Sequence, residues 1–248
     1  MKITVPHMLI GLLALLLPVK AGAVEVVRPV AVVELFTSQG CNSCPPADRL
    51  LGELVREGKV LALSRHVDYW DYLGWKDSFA MPENTERQYG YARTLGERQV
   101  YTPQLVLNGR THMVGSKEND VRRAIKNAHN GKNSLVVPID VEVRTDSIAI
   151  SVPEEASSHN ATLYLVHFDA KGSIDIERGE NAGKTITYSN VVRGGQPLGM
   201  VKAGGLSVEF PLAELRRGGH GSLALLLQKS DPGGNPAAIL GAVSIHGL

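Results

Sequence analysis

Residues 30–36 (VAVVELF) form an almost unbroken apolar, β-branched run, the pattern of a strand buried on both faces. A polar turn occupies residues 37–46. Ala47, Leu50, Leu51 and Leu54 then repeat at helical spacing, with Arg49, Glu53 and Arg56 on the other side and Gly58 as a stop. Residues 60–67 read as a second buried strand, so strand, helix and strand make a right-handed crossover unit. Residues 68–80 are a long aromatic excursion, and residues 84–95 read as a helix. Gln104 to Leu107, the Asn108-Gly109 pair and His112 to Val114 carry a strong hairpin signal. Ser116 is a fitting N-cap for a helix that turns Val121, Ala124, Ile125 and Ala128 inward and stops at Gly131.

The pattern changes near Lys132. Val137, Ile139, Val141 and Val143 alternate with polar or small neighbours, and Ile148, Ile150 and Val152 continue the alternation. Leu163-Leu165, Leu206-Val208-Phe210 and Leu223-Leu225-Leu227 repeat it, separated by stretches rich in glycine, proline and aspartate. Short alternating strands with turn punctuation predict a β-sandwich. The chain therefore divides into an α/β unit over 24–132 and an all-β unit over 133–248.

The N-terminus reads as a secretory signal over 1–23. Lys2 supplies the positive start, a leucine-rich stretch follows, and Ala21-Gly22-Ala23 is a cleavage site. The mature chain is expected in the periplasm or outside the cell, with no membrane span after cleavage. The formal charge of the whole chain is +1. Such a balance argues against nucleic acid and anionic membrane as main partners. There is no phosphate-binding glycine loop, nucleophilic-serine elbow or paired-carboxylate arrangement.

The two cysteines of the chain, Cys41 and Cys44, stand in a Cys-Asn-Ser-Cys turn between strand and helix. Three chemistries fit. A helix N-terminus favours a thiolate, so Cys41 would attack and Cys44 would resolve the mixed disulfide. The pair would also serve as an inert disulfide in an oxidising compartment, although so small a loop adds little stability by chain entropy. Two soft thiolates would bind Cu(I) or Zn(II), with His66 as a third ligand and Met113 as a fourth. Pro45 directly follows Cys44, and a residue before proline avoids the α region, so the helix is expected to begin at Pro45 or Pro46.

Thr102-Pro103 opens the third strand. A cis bond there would turn Thr102 toward an extended substrate segment. Tyr69, Trp70, Tyr72, Trp75 and Phe79 make the excursion either a binding surface around the thiols or packing between the two units. His66 and Asp68 end the second strand, where His66 would shuttle a proton and Asp68 would support it or cap a turn.

The element order through residue 132, with its C-x-x-C and its X-Pro, is that of the thioredoxin fold. The stretch Phe36-Thr37-Ser38-Gln39-Gly40-Cys41-Asn42-Ser43-Cys44-Pro45-Pro46-Ala47-Asp48 resembles the signature of an exported bacterial family catalogued as a domain of unknown function. His66-Val67-Asp68-Tyr69-Trp70-Asp71, Tyr101-Thr102-Pro103-Gln104, Arg178-Gly179-Glu180-Asn181 and Asn190-Val191-Val192-Arg193 resemble its other signatures. The resemblance implies an α/β thioredoxin-like domain followed by an all-β sandwich-like domain, a cis Thr102-Pro103 bond against the dithiol, and export. It supplies no substrate. The activity expected is thiol–disulfide exchange, with Cys41 and Cys44 catalytic, Thr102, Pro103, Trp70 and Trp75 binding substrate, and His66 and Asp68 in support. The expected partners are a protein or peptide thiol or disulfide and a second redox protein. The reading calls for no cofactor and no resident metal. A copper-binding metallochaperone and a binding module with a structural disulfide are the rival classes.

Overall fold

A computed structural model describes residues 24–248, apart from 130, 132, 217 and 218 and the side chains of 157–159. The leader expected over 1–23 lies outside the described residues. In chain order the elements are β1 (Glu25–Val27), β2 (Val32–Thr37), α1 (Pro45–Glu57), β3 (Leu61–His66), α2 (Pro82–Leu95), β4 (Gln104–Leu107), β5 (Thr111–Val114) and α3 (Glu118–His129). They continue with β6 (Asp140–Val143), β7 (Ser147–Val152), β8 (Ala161–Ile176), β9 (Lys184–Met200), β10 (Leu206–Pro211), α4 (Leu212–Arg216), β11 (Ser222–Ser230) and β12 (Pro236–His246). No described helix is long and apolar enough to cross a membrane.

The unbroken apolar run becomes β2, buried along its whole length because both its faces are covered. Val33 and Leu35 pack with Leu50, Leu51 and Leu54 of α1 and with Val121 of α3. On the opposite face, Val32 joins Leu61 and Leu63 of β3, while Phe36 meets Tyr91 of α2. The β4–β5 hairpin turns through Asn108 and Gly109, both at positive φ (49° and 62°). That turn is docked as well as tight. Asn108 Oδ1 accepts the Val32 N–H at 2.6 Å, and a Cβ on Gly109 would stand 2.1 Å from the Ala237 carbonyl oxygen of β12.

The expectation of an α/β thioredoxin-like domain followed by a separate all-β sandwich is overturned. Nine strands from both halves form one mixed sheet in the order β1-β12-β11-β8-β9-β3-β2-β4-β5. The joint is β9, which lies parallel to β3 with Val191 opposite Ser64. Asn190, at φ 48°, donates its side-chain amide to the Ala62 carbonyl at 2.9 Å and fastens the two strands. Alternation tells which face of a strand is apolar, and it does not tell which sheet the strand joins. The remaining strands, in the order β10-β7-β6, form a small second sheet. Its Ile148, Ile150 and Val152 bury against Leu163, Leu165, Leu225 and Val243 of the large one.

Strands β8 and β9 are long, and their far ends project past the seam as an antiparallel hairpin. Its tip, residues 177–183, comes down on the cysteine turn.

Candidate functional site

The turn between β2 and α1 is built by its own backbone. Cys41 N–H donates to Ser38 O, Cys44 N–H to Cys41 O, and the N–H groups of Ala47 and Asp48 both go to Cys44 O. Cys44 is the N-cap of α1, at φ −80° and ψ −35°. The α1 helix begins at Pro45, as the prolines suggested, yet the residue before it is α-like, because the turn's hydrogen bonds outweigh the steric preference. Pro45 and Pro46 carry no N–H, and the next two N–H groups are engaged by Cys44 O. No backbone donor of the first helical turn is therefore free for a sulfur, which weakens the helix-terminus argument for an acidic thiol.

Cys41 and Cys44 form a disulfide. Both are buried, at 2 % and 0 % exposure. The polar neighbours of Cys41 are side chains. Thr102 Oγ1 donates to its sulfur at 3.3 Å, and Ser43 Oγ lies 3.4 Å from it. The Thr102-Pro103 peptide bond is cis. Trp70 Nε1–H donates to Thr102 Oγ1 at 2.8 Å, so the indole, the threonine and Cys41 form one chain of contacts. From the other side, the amide of Asn181 at the β8–β9 tip donates to both Gln39 O and Cys41 O at 2.9 Å. The resemblance singled out Asn181 within Arg178–Asn181 without assigning it to this turn, which lies 140 residues away in the chain.

The aromatic loop is fastened to the same turn by Asp77. Its Oδ2 accepts the Gln39 N–H at 2.8 Å and the His66 Nδ1–H at 2.7 Å. Burial works against the charge on Asp77, but His66 and the backbone donors outweigh it and hold the carboxyl below its ordinary range. Trp75 Nε1–H reaches Gln39 Oε1 at 2.8 Å, while its ring packs with Phe79, Ile176, Ile186 and Tyr188 under the hairpin. Trp70 and Trp75 therefore differ: the first bonds Thr102 and packs against the Phe36–Tyr91 cluster, and the second joins the loop to β8 and β9. Tyr72 points outward, 78 % exposed.

His66 is enclosed, its ring meeting Phe79 and Tyr188 edge-on at 5.3 and 4.5 Å. Asp68 stands apart from the cysteines, where its carboxylate takes the Thr85 hydroxyl at 2.6 Å and steadies the start of α2. Met113 packs into the α1–α3 core. Among the described residues, no three His, Cys, Asp or Glu side chains converge as a metal site.

The residue that sequence reasoning missed is Asp48, one turn beyond Cys44 on the same helix face. Thr37 Oγ1 donates to its Oδ1 at 2.8 Å, and Oδ2 has no partner among the described residues. Burial pushes this carboxyl up to about 7, against the pull of His66 and Thr37. His66 Nε2, Tyr188 Oη and Ser64 Oγ are likewise buried and without partners among the described residues. An aspartate within an otherwise amphipathic helix was the available signal.

Residues 32–228 match the family described as protein of unknown function, DUF1223. The chain belongs to this family. The matched span runs from β2 into β11, so it takes in the cysteine turn, the aromatic loop, Thr102-Pro103 and Asn181. A crystal structure of protein AGR_C_4864 from Agrobacterium tumefaciens is 39% identical, with a TM-score of 0.78, covering 89% of this chain and 96% of its own. HBP35 of Porphyromonas gingivalis, at 12% identity and a TM-score of 0.56, covers 88% of this chain and 75% of its own, and it is similar in fold alone. No curated protein matches the chain.

Proposed function

We propose that this DUF1223 member is an exported thiol–disulfide oxidoreductase acting on protein or peptide thiols through Cys41 and Cys44. The observation that carries the reading is the asymmetric setting of the pair: Thr102 Oγ1 donates to the Cys41 sulfur at 3.3 Å and Ser43 lies beside it, whereas Cys44 is enclosed at the helix cap. In exchange, a substrate thiolate attacks Cys41 Sγ. A new S–S bond forms, the Cys41–Cys44 bond breaks, and Cys44 leaves with the electron pair and takes a proton. A second substrate thiolate then attacks the mixed disulfide. It releases an oxidised substrate and a reduced Cys41, and a second redox protein reoxidises the pair. The same steps reversed reduce a substrate disulfide. Thr102 and Ser43 hydroxyls supply hydrogen bonds to a Cys41 thiolate in the place of helix N–H groups. The leader at 1–23 supports an exported location.

The burial of both cysteines favours a second reading, a structural disulfide in a binding module. Trapping separates the two. Cys44→Ser expressed in the native host leaves Cys41 free to hold a partner. Discrete, reductant-sensitive adducts that vanish in Cys41→Ser/Cys44→Ser are expected from an exchanger, and their absence supports the structural pair.

A further inference from the structure

Across β3 from the cysteines lies a second candidate site. Neighbouring residues on a strand face opposite sides, so Arg65 points away from His66. Arg65 is buried, Arg87 is half-buried, and the two share a single carboxylate, Glu34. Arg65 Nε bonds Glu34 Oε1, and Arg87 bonds both Glu34 oxygens, at 2.9 and 3.0 Å. Burial tends to raise the Glu34 carboxyl, but Arg87 and Arg65 outweigh it and hold it down to about 2, so it is fully ionised.

Two guanidiniums against one carboxylate leave one positive charge uncompensated where Arg65 and Arg87 line an open cleft. The remaining neighbours do not cancel it. Arg65 Nη1 donates to Asn84 Oδ1 at 3.1 Å, and Arg87 Nη2 donates to Tyr91 Oη and Gln228 Oε1, all neutral acceptors. Among the described residues, neither Arg65 Nη2 nor Arg87 Nη1 is a buried atom left without a partner, so their N–H groups are not sealed from the cleft. Both residues line an open cleft of about 260 Å³ at the seam between α2, β3 and the β8–β9–β11 strands. Part of its wall is apolar, from Tyr164, Val166, Val192 and Leu226, and Asn84, Gln196 and Gln228 supply neutral polar groups. Gly194 lines it too, with open space where a Cβ would stand. Glu83 lies at the mouth, but it is exposed and solvated, so it offsets little of the excess charge.

We propose that this cleft binds a small organic monocarboxylate. Its carboxylate would sit on the spare guanidinium N–H groups, and a compact hydrophobic body would lie against Tyr164, Val166, Val192 and Leu226. Guanidinium favours a carboxylate held by two N–H groups, and the apolar walls distinguish such a ligand from an inorganic anion.

Calorimetric titration of the full chain with benzoate, and separately with inorganic phosphate, tests the assignment. The variant is Gln196→Glu, chosen because Gln196 is an exposed lining residue, so the change adds a negative charge without removing any buried partner. Saturable benzoate binding with a dissociation constant of about 1 mM or tighter is expected, weakened about five-fold in Gln196→Glu. The variant's melting temperature reports that it is folded. Phosphate should bind about ten-fold more weakly than benzoate. No saturable benzoate binding, equal affinity in Gln196→Glu, or phosphate as tight as benzoate would each overturn the proposal.

Discussion

A carboxyl group with one oxygen on Thr37 and the other on nothing is costly to ionise, and that is the position of Asp48. Its proton is held to about pH 7 in the fold, against an ordinary value of 3.8. Between those values the native state binds more protons than the unfolded one, so stability falls as pH rises. The change amounts to a few kcal/mol across that window. Glu34 acts in the opposite sense, but below its ordinary value of 4.5, where stability is lost as pH falls toward 2. Denaturant melts of the wild type between pH 5 and 8 should therefore show declining stability. Asp48→Asn, which keeps an oxygen for Thr37, should flatten that slope and be the more stable protein at pH 8. An unchanged slope in the variant would remove the penalty from Asp48. Where Cys44 is to accept a proton on leaving, Asp48 is the buried acid one turn away. The pH–rate profile for reduction of the pair should then lose an inflection near pH 7 in the same variant.

The loop over residues 68–80 does two tasks with two tryptophans, and their substitutions should part company. Trp70 reaches Cys41 through one hydrogen bond to Thr102 and packs against the Phe36–Tyr91 cluster. Trp70→Ala should raise the rate at which a small thiol reagent reduces the disulfide by about ten-fold, since access limits exchange. Its melting temperature should also fall by a few degrees, because the ring packs against the Phe36–Tyr91 cluster. Trp75 is packed between the loop and the hairpin. Trp75→Ala should cost about 2–3 kcal/mol, near the low end for a large aromatic because the ring is partly exposed, and lower the melting temperature by roughly 5–10 °C. If both variants destabilise alike and neither speeds reduction, the loop is packing throughout. The sequence placed both rings in one loop beside the second strand, and spacing cannot tell a cover from a strut. It grouped Asp68 with His66 as well, yet the chain turns after β3 and sends Asp68 to Thr85 instead.

At the scale of the molecule, the seam between the halves is a row of backbone and side-chain bonds within one sheet. The local elements of the first half were legible because their signals are local: an apolar run, helical spacing, an Asn-Gly turn. In the second half the alternation marked β6, β7, β8, β10 and β11 but not β9 (KTITYSNVVRGGQPLGM), which carries Gly194, Gly195 and Pro197 and whose register against β8 shifts near Val192. Its pairing with β3 depends on residues more than a hundred positions apart. Cutting the chain at 132 would strip β9 from β3 and leave the Ala62 carbonyl without Asn190. The fragment 24–132 should therefore lack a cooperative thermal transition, while the chain from residue 24 to 248 should unfold in one. Independent, reversible melting of the fragment would show the seam to be dispensable.

The central claim is that Cys41–Cys44 exchanges electrons within the folded protein. The most direct measurement is the reduction of the pair in a thiol redox buffer without denaturant, with alkylation to assign each sulfur and circular dichroism to follow the fold. The account predicts reversible equilibration at constant native signal, with Cys41 alkylated before Cys44. Reduction that proceeds only as the protein unfolds would contradict it and make the disulfide a structural one.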